Sequence, residues 1–167
     1  MVSGLVIPAA AEEPVAAREF MRLEDYQTAV GGWIEAVDLP AFGITIYVNE
    51  EGLLRHLPFN SRASFLWWYH VPEARQKAML VGDAVVVGLP DCKGESTNIP
   101  AAAASLLRST AAFRVEVRLA GESIWHRIQA TYPDYWEAIV WAMMLLERTS
   151  AAEDVRVAPI GPDSIST

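Results

Sequence analysis

Asp83-Ala84-Val85-Val86-Val87-Gly88-Leu89 is the stretch on which the fold turns. It carries no charge after its first residue, is β-branched through its middle, and lies between Gly82 and Pro90. Seven residues are too few for a stable helix, and the run lacks the apolar–polar alternation of a strand with one wet face. It therefore predicts a strand covered on both sides, at the centre of a sheet. Such a strand needs other strands beside it and helices over it.

Upstream, the chain supplies both. Gly4 to Pro8 and Val15 to Phe20 read as strands joined by an acidic, proline-bearing loop. Arg22 to Val30 has Leu23, Tyr26, Gln27 and Val30 at helical spacing and stops at Gly31-Gly32. Trp33 to Leu39 and Gly43 to Val48 alternate as a pair of strands around Pro40-Ala41-Phe42. Asn49-Glu50-Glu51-Gly52 predicts a turn, with Leu53 to Leu57 returning from it as a further strand. A helix over 61–70 follows, capped by Asn60 or Ser61, with Pro72 ending it or opening a second helix over 73–79.

Downstream, Pro90 to Pro100 is rich in turn formers, and Ala101 to Arg108 predicts a short helix. Phe113 to Leu119 and Ile124 to Ala130 alternate on either side of Ala120-Gly121-Glu122, the pattern of a hairpin. Thr131 is the expected cap of a last helix over 133–148, with Pro133 in its first turn and Asp134 and Glu137 near its positive end. From Ser150 the residues are small or polar and interrupted by prolines, which predicts a loosely ordered tail over 149–167. The fold class is α+β: one domain over 1–148 with a mixed or antiparallel sheet and three or four helices.

Composition narrows the function. The net charge of −8 argues against general binding to a nucleic-acid backbone, an affinity that comes from clustered Lys and Arg. The carboxylates are too scattered, with charged residues at 20%, for a surface that mimics DNA. Cys92 is the single cysteine, so no intrachain disulfide can form, and the amino-terminal stretch has no export signal; a cytoplasmic setting is expected. The longest uncharged apolar run, Ala138 to Leu146, falls well short of the roughly 20 residues that span a bilayer, so no membrane role is expected.

Four segments occur in fixed order: Val30-Gly31-Gly32-Trp33-Ile34-Glu35, Asn49-Glu50-Glu51-Gly52, Leu57-Pro58-Phe59-Asn60 with Ala63, and Gly82-Asp83-Ala84-Val85-Val86-Val87-Gly88. Together they resemble an uncharacterised domain family of actinobacteria and of their phages and plasmids, over roughly the first hundred residues. The resemblance implies a small accessory protein of a mobile element or its host, in the cytoplasm, and transfers no catalytic residue. The glycines in these segments suit turns and strand ends, and Asn49 and Asn60 suit hydrogen bonds to the backbone.

Candidate chemistry is sparse. Cys92 follows the central strand next to Lys93, a cation that could lower a thiol pKa, but no neighbouring histidine pattern makes it a nucleophile. His56, His70 and His126 are too far apart in sequence to form a metal motif, and Gly31-Gly32 follows a helix, the reverse of a dinucleotide loop. Neither a metal nor a cofactor is expected. Glu35, Asp38, Glu50 and Glu51 could gather at one end of the sheet as an acid–base group or as a solvated face.

The aromatic run Trp67-Trp68-Tyr69-His70 is more distinctive, because one helix face cannot hide consecutive bulky side chains. Trp67 and Tyr69, with Arg62 and Arg75, are the candidate binding residues, for a protein or a nucleotide-like ligand. In the last helix, Trp136, Val140, Trp141 and Met144 lie among apolar residues that surround the axis, whereas packing on a sheet needs only a stripe about 100° wide. These four are the candidate interface of a homodimer. The functional expectation is a non-catalytic binding protein acting on another protein. The alternatives are a protein that sequesters a small nucleotide-like ligand and an enzyme whose site has no familiar motif.

Overall fold

The structure is a computed structural model and describes residues 1–161. The fold is α+β. Helices α1 (Leu23–Val30), α2 (Ser61–His70), α3 (Ala101–Leu107) and α4 (Tyr135–Arg148) accompany two antiparallel sheets. The chain divides into two compact units, Met1–Arg108 and Ser109–Thr167.

In the first unit the strands are β1 (Val2–Ile7), β2 (Ala16–Phe20), β3 (Ile34–Leu39), β4 (Ile44–Asn49) and β5 (Ala84–Gly88), in the order β2-β1-β5-β4-β3. The β-branched run is thus the central strand, and each of its residues is buried. The register Leu5↔Val86↔Ile46 lines one face, and Val6↔Val85↔Tyr47 lines the other. Helix α1 covers the second face, setting Tyr26 and Val30 against Phe20, Val85 and Val87. Each fully buried aliphatic side chain of this kind stabilises the unit by about 1.5–3 kcal/mol. Gly4 is bare for a reason: a Cβ there would lie 2.6 Å from the Val86 carbonyl oxygen and 2.8 Å from Val87 Cγ1.

Helix α2 begins where the sequence places it. The Asn60 side chain, 0% exposed, accepts from the Ala63 amide at 3.0 Å and donates to the carbonyls of Ile7 and Gly82, both at 2.9 Å. One amide group therefore caps the helix, holds the end of β1 and fixes the approach to β5. Ser64 Oγ adds a second tie, accepting from the Leu80 amide at 2.9 Å.

Two local expectations are corrected. Residues 53–57 form no strand: β4 already has β3 and β5 as neighbours, so no edge is free, and Leu53 and Leu54 stand 63% and 82% exposed in a series of turns. No second helix forms over 73–79 either. Val71, forced out of the helical region by the proline after it, leads into the short 3-10 turn Pro72–Ala74, and Gln76 takes a positive φ of 64°.

In the second unit β6 (Phe113–Leu119) lies between β7 (Trp125–Tyr132) and β8 (Ala152–Pro159). Helix α4 packs on this sheet through Tyr135, Ala138, Ile139, Ala142 and Met143, a single stripe at i, i+3, i+4, i+7 and i+8. Its cap is Asp134, which accepts from the Glu137 amide at 2.9 Å, and not Thr131, which pairs with Arg114 inside β7. Strand β8 lies where the sequence predicts a loose tail. Val155 and Val157 alternate through that segment and pair with Val117 and Val115, so burial on the sheet outweighs its small, polar composition. Positions 162–167 of the expected tail lie outside the described residues.

Candidate functional site

Arg62, Trp67, Tyr69 and Arg75 lie on α2 and the turn after it, and all four are half-buried. Arg62 Nη2 donates to the carbonyls of Pro8 and Ala10, at 2.9 and 3.1 Å, and so pins the loop between β1 and β2. Arg75 Nη2 donates to the Trp68 carbonyl at 3.0 Å, closing the end of α2. Trp68 joins a ring cluster with Phe59 and Phe65 and donates from Nε1 to the Ala78 carbonyl at 2.8 Å. His70 stacks on Phe42 with ring centroids 4.3 Å apart, and burial lowers its pKa from 6.5 to about 4. Both arginines thus hold backbone in place, Arg62 near the start of the helix and Arg75 beyond its end.

The four interface candidates lie off the buried stripe of α4. Trp136, Val140 and Met144 are half-buried, and Trp141 is 44% exposed. Trp141 stacks on Tyr132 of β7 at 6.2 Å. Beside it runs an apolar groove of about 300 Å³ lined by Val115, Ile128, Tyr132, Trp141, Met144 and Leu145. Trp141 and Met144 thus border one recess, which Trp136 and Val140 do not line.

The carboxylates do not converge. Glu35 pairs with Val48 and Asp38 with Thr45, so the two point to opposite faces of the sheet, and Glu50 and Glu51 sit in the turn at the other end of the strand from Asp38. Asp38 accepts a hydrogen bond from Thr45 Oγ1 at 2.6 Å. Cys92 is exposed in its loop. Among the described residues no group of 3 or more His, Cys, Asp and Glu side chains could hold a metal ion, and no helix is long and apolar enough to cross a membrane.

The outer face of the second unit's sheet carries a cluster that sequence reasoning missed. Trp125 lies under two guanidinium groups, Arg156 at 4.2 Å and Arg118 at 5.7 Å from its ring centroid. Arg156 also pairs with Glu116 at 2.9 Å and Arg118 with Glu153 at 2.8 Å. Its charges are satisfied within the sheet, which marks it as a cross-strand brace.

A second missed feature lies in the first unit. A cleft of about 470 Å³ opens between the start of α1, the beginning of β1 and the loop before α3. Its polar floor is a hydroxyl bridge: Tyr47 Oη and Ser96 Oγ are 2.9 Å apart, and Tyr26 hydrogen-bonds the same serine. Tyr26 is 7% exposed, stacked on Phe20 at 4.6 Å, and burial raises the pKa of its phenol, with the Ser96 hydrogen bond acting in the opposite sense. Val2, Phe20 and Ile34 supply apolar wall, and Arg22 and Glu95 bring opposite charges. The period-2 alternation of β4 sets Tyr47 on the face that α1 covers, but Ser96 reaches it only through the folded loop.

No curated protein and no solved structure matches the chain. A family model does match, over residues 3–111, a span that takes in nearly all of the first unit and every residue lining this cleft except Met1 and Val2. On that match the chain belongs to the family described as a domain of unknown function, DUF3846.

Proposed function

We propose that this is a non-catalytic accessory binding protein that acts by protein–protein contact, and that its first partner is a second copy of itself, held through α4. The observation that supports this reading is the division of the helix into two apolar surfaces. Tyr135, Ala138, Ile139, Ala142 and Met143 already serve the sheet, yet Trp141 remains 44% exposed beside a groove of about 300 Å³. A tryptophan and a methionine, Trp141 and Met144, beside one groove match the composition of interface cores. A two-fold copy of the helix would cover both, and roughly 800 Å² from each subunit suffices for a stable pair. The resemblance to proteins of actinobacterial phages and plasmids supports a cytoplasmic role in counter-defence or host modulation.

The test is mass in solution. Light scattering after size exclusion at micromolar concentration is expected to give about twice the 18.4 kDa of one chain. Trp141→Glu and Met144→Glu are each expected to give a folded monomer, because an unpaired charge placed in a buried interface costs several kcal/mol. A wild-type monomer would remove the self-association, and dimers unaffected by both substitutions would place the contact elsewhere.

A further inference from the structure

We propose that the cleft of the first unit is a binding site for a small zwitterion with an apolar side chain, of the free α-amino acid class. The cavity, about 470 Å³, falls in the size range of small-ligand pockets. Its lining is divided as such a ligand requires. Phe20, Val2 and Ile34 form an apolar wall able to take a hydrocarbon or aromatic side chain. The Arg22 guanidinium, whose charge also acts on the neighbouring Asp25 carboxylate, and the Glu95 carboxylate line the same space. Opposite charges on one cleft complement a ligand that carries both signs: a carboxylate for the fork of Arg22, an ammonium for Glu95. A purely anionic ligand would meet Glu95, and a purely cationic one would meet Arg22.

The floor suits the same ligand. Ser96 joins the phenols of Tyr26 and Tyr47, so the hydroxyl groups are fixed before anything binds. Each hydroxyl both donates and accepts. Tyr26 and Phe20 belong to the core that α1 makes with the sheet, so this side of the cleft is set by folding rather than by the ligand.

The experiment uses the intact chain. The twenty amino acids, their N-acetyl derivatives and their methyl esters are screened by thermal shift, and hits are titrated by calorimetry; nucleoside monophosphates run in parallel. An apolar or aromatic amino acid is expected to bind, and blocking either end is expected to weaken it by at least about tenfold. Arg22→Gln and Glu95→Gln alter exposed side chains and leave the core intact. The first should abolish the difference between acid and ester, and the second the difference between free and acetylated amine. Tyr47→Phe should weaken every hit without changing that selectivity. No heat and no shift from any amino acid at millimolar concentration would overturn the proposal. So would hits that both charge substitutions leave untouched, or binding of nucleotides in place of amino acids.

Discussion

Asn60→Leu is expected to cost the first unit about 3–7 kcal/mol, a large share of the stability of an ordinary domain. The size follows from what one side chain does. Leucine removes the acceptor that caps α2, a loss of about 1 kcal/mol. It also strips the donors from the Ile7 and Gly82 carbonyls, two acceptors that a leucine would leave buried without partners, at about 1–3 kcal/mol each. Asn60→Asp keeps the cap and still loses both donated bonds, so it separates the two contributions. Urea unfolding followed by tryptophan fluorescence would measure the change, with Ser61→Ala as the neighbouring control. A loss below about 1 kcal/mol for Asn60→Leu would show that the amide does not tie β1, β5 and α2 together.

The second large effect is on pH. His70 has its pKa lowered from 6.5 to about 4 by burial against Phe42 and its surroundings. Between those values the unfolded chain takes up a proton that the folded one refuses. Stability is therefore full above pH 6.5, falls as the pH drops through the window, and levels off near pH 4 as far as this group is concerned. The loss across the window is of the order of 3 kcal/mol. Asp25 acts lower on the scale: hydrogen bonds from the Met21 and Arg22 amides hold its carboxyl below 3.8, so its contribution is lost only under more acid conditions. Denaturant midpoints at pH 7, 6, 5 and 4 should slope downward for the wild type and stay nearly flat for His70→Leu. Parallel slopes in the two proteins would sink the assignment.

Much of the fold was legible because it is written in local patterns. The run Ala84–Gly88 has one physical reading, and it is the middle strand of five. Asn60 stood before a helical run and caps it. Where the reading failed, a competing contact decided. Leu53 to Leu57 had turn chemistry behind it, but β4, the strand it would return along, already has β3 and β5 on its two edges. Ala152 to Pro159 looked like a tail because its two valines are sparse, and only the length of β6 beside it explains why they suffice. Asp134 outbid Thr131 as a cap because Thr131 was already paired in β7.

The candidate sites were less legible, for a related reason. Trp67 and Tyr69 drew attention as neighbours in sequence, yet what Arg62 and Arg75 do depends on carbonyls at Pro8, Ala10 and Trp68. Tyr26, Tyr47 and Ser96 come from a helix, a strand and a loop, and no spacing rule links them. Their meeting is a property of sheet register, which binary patterning narrows but does not assign to partners far along the chain.

The order of strands also bears on how the chain emerges from a ribosome. The β1–β2 and β3–β4 hairpins are each local and can close within microseconds of synthesis. They have no sheet contact with one another until β5, made last of the five, slides between β1 and β4. Until residue 84 is free, β1 and β4 each present an unsatisfied inner edge, and β1 waits for a partner some eighty residues downstream. The nascent protein is therefore most exposed to wrong strand pairing during that interval, and a pause in translation before Ala84 would lengthen it, while the same pause placed after Gly88 would not.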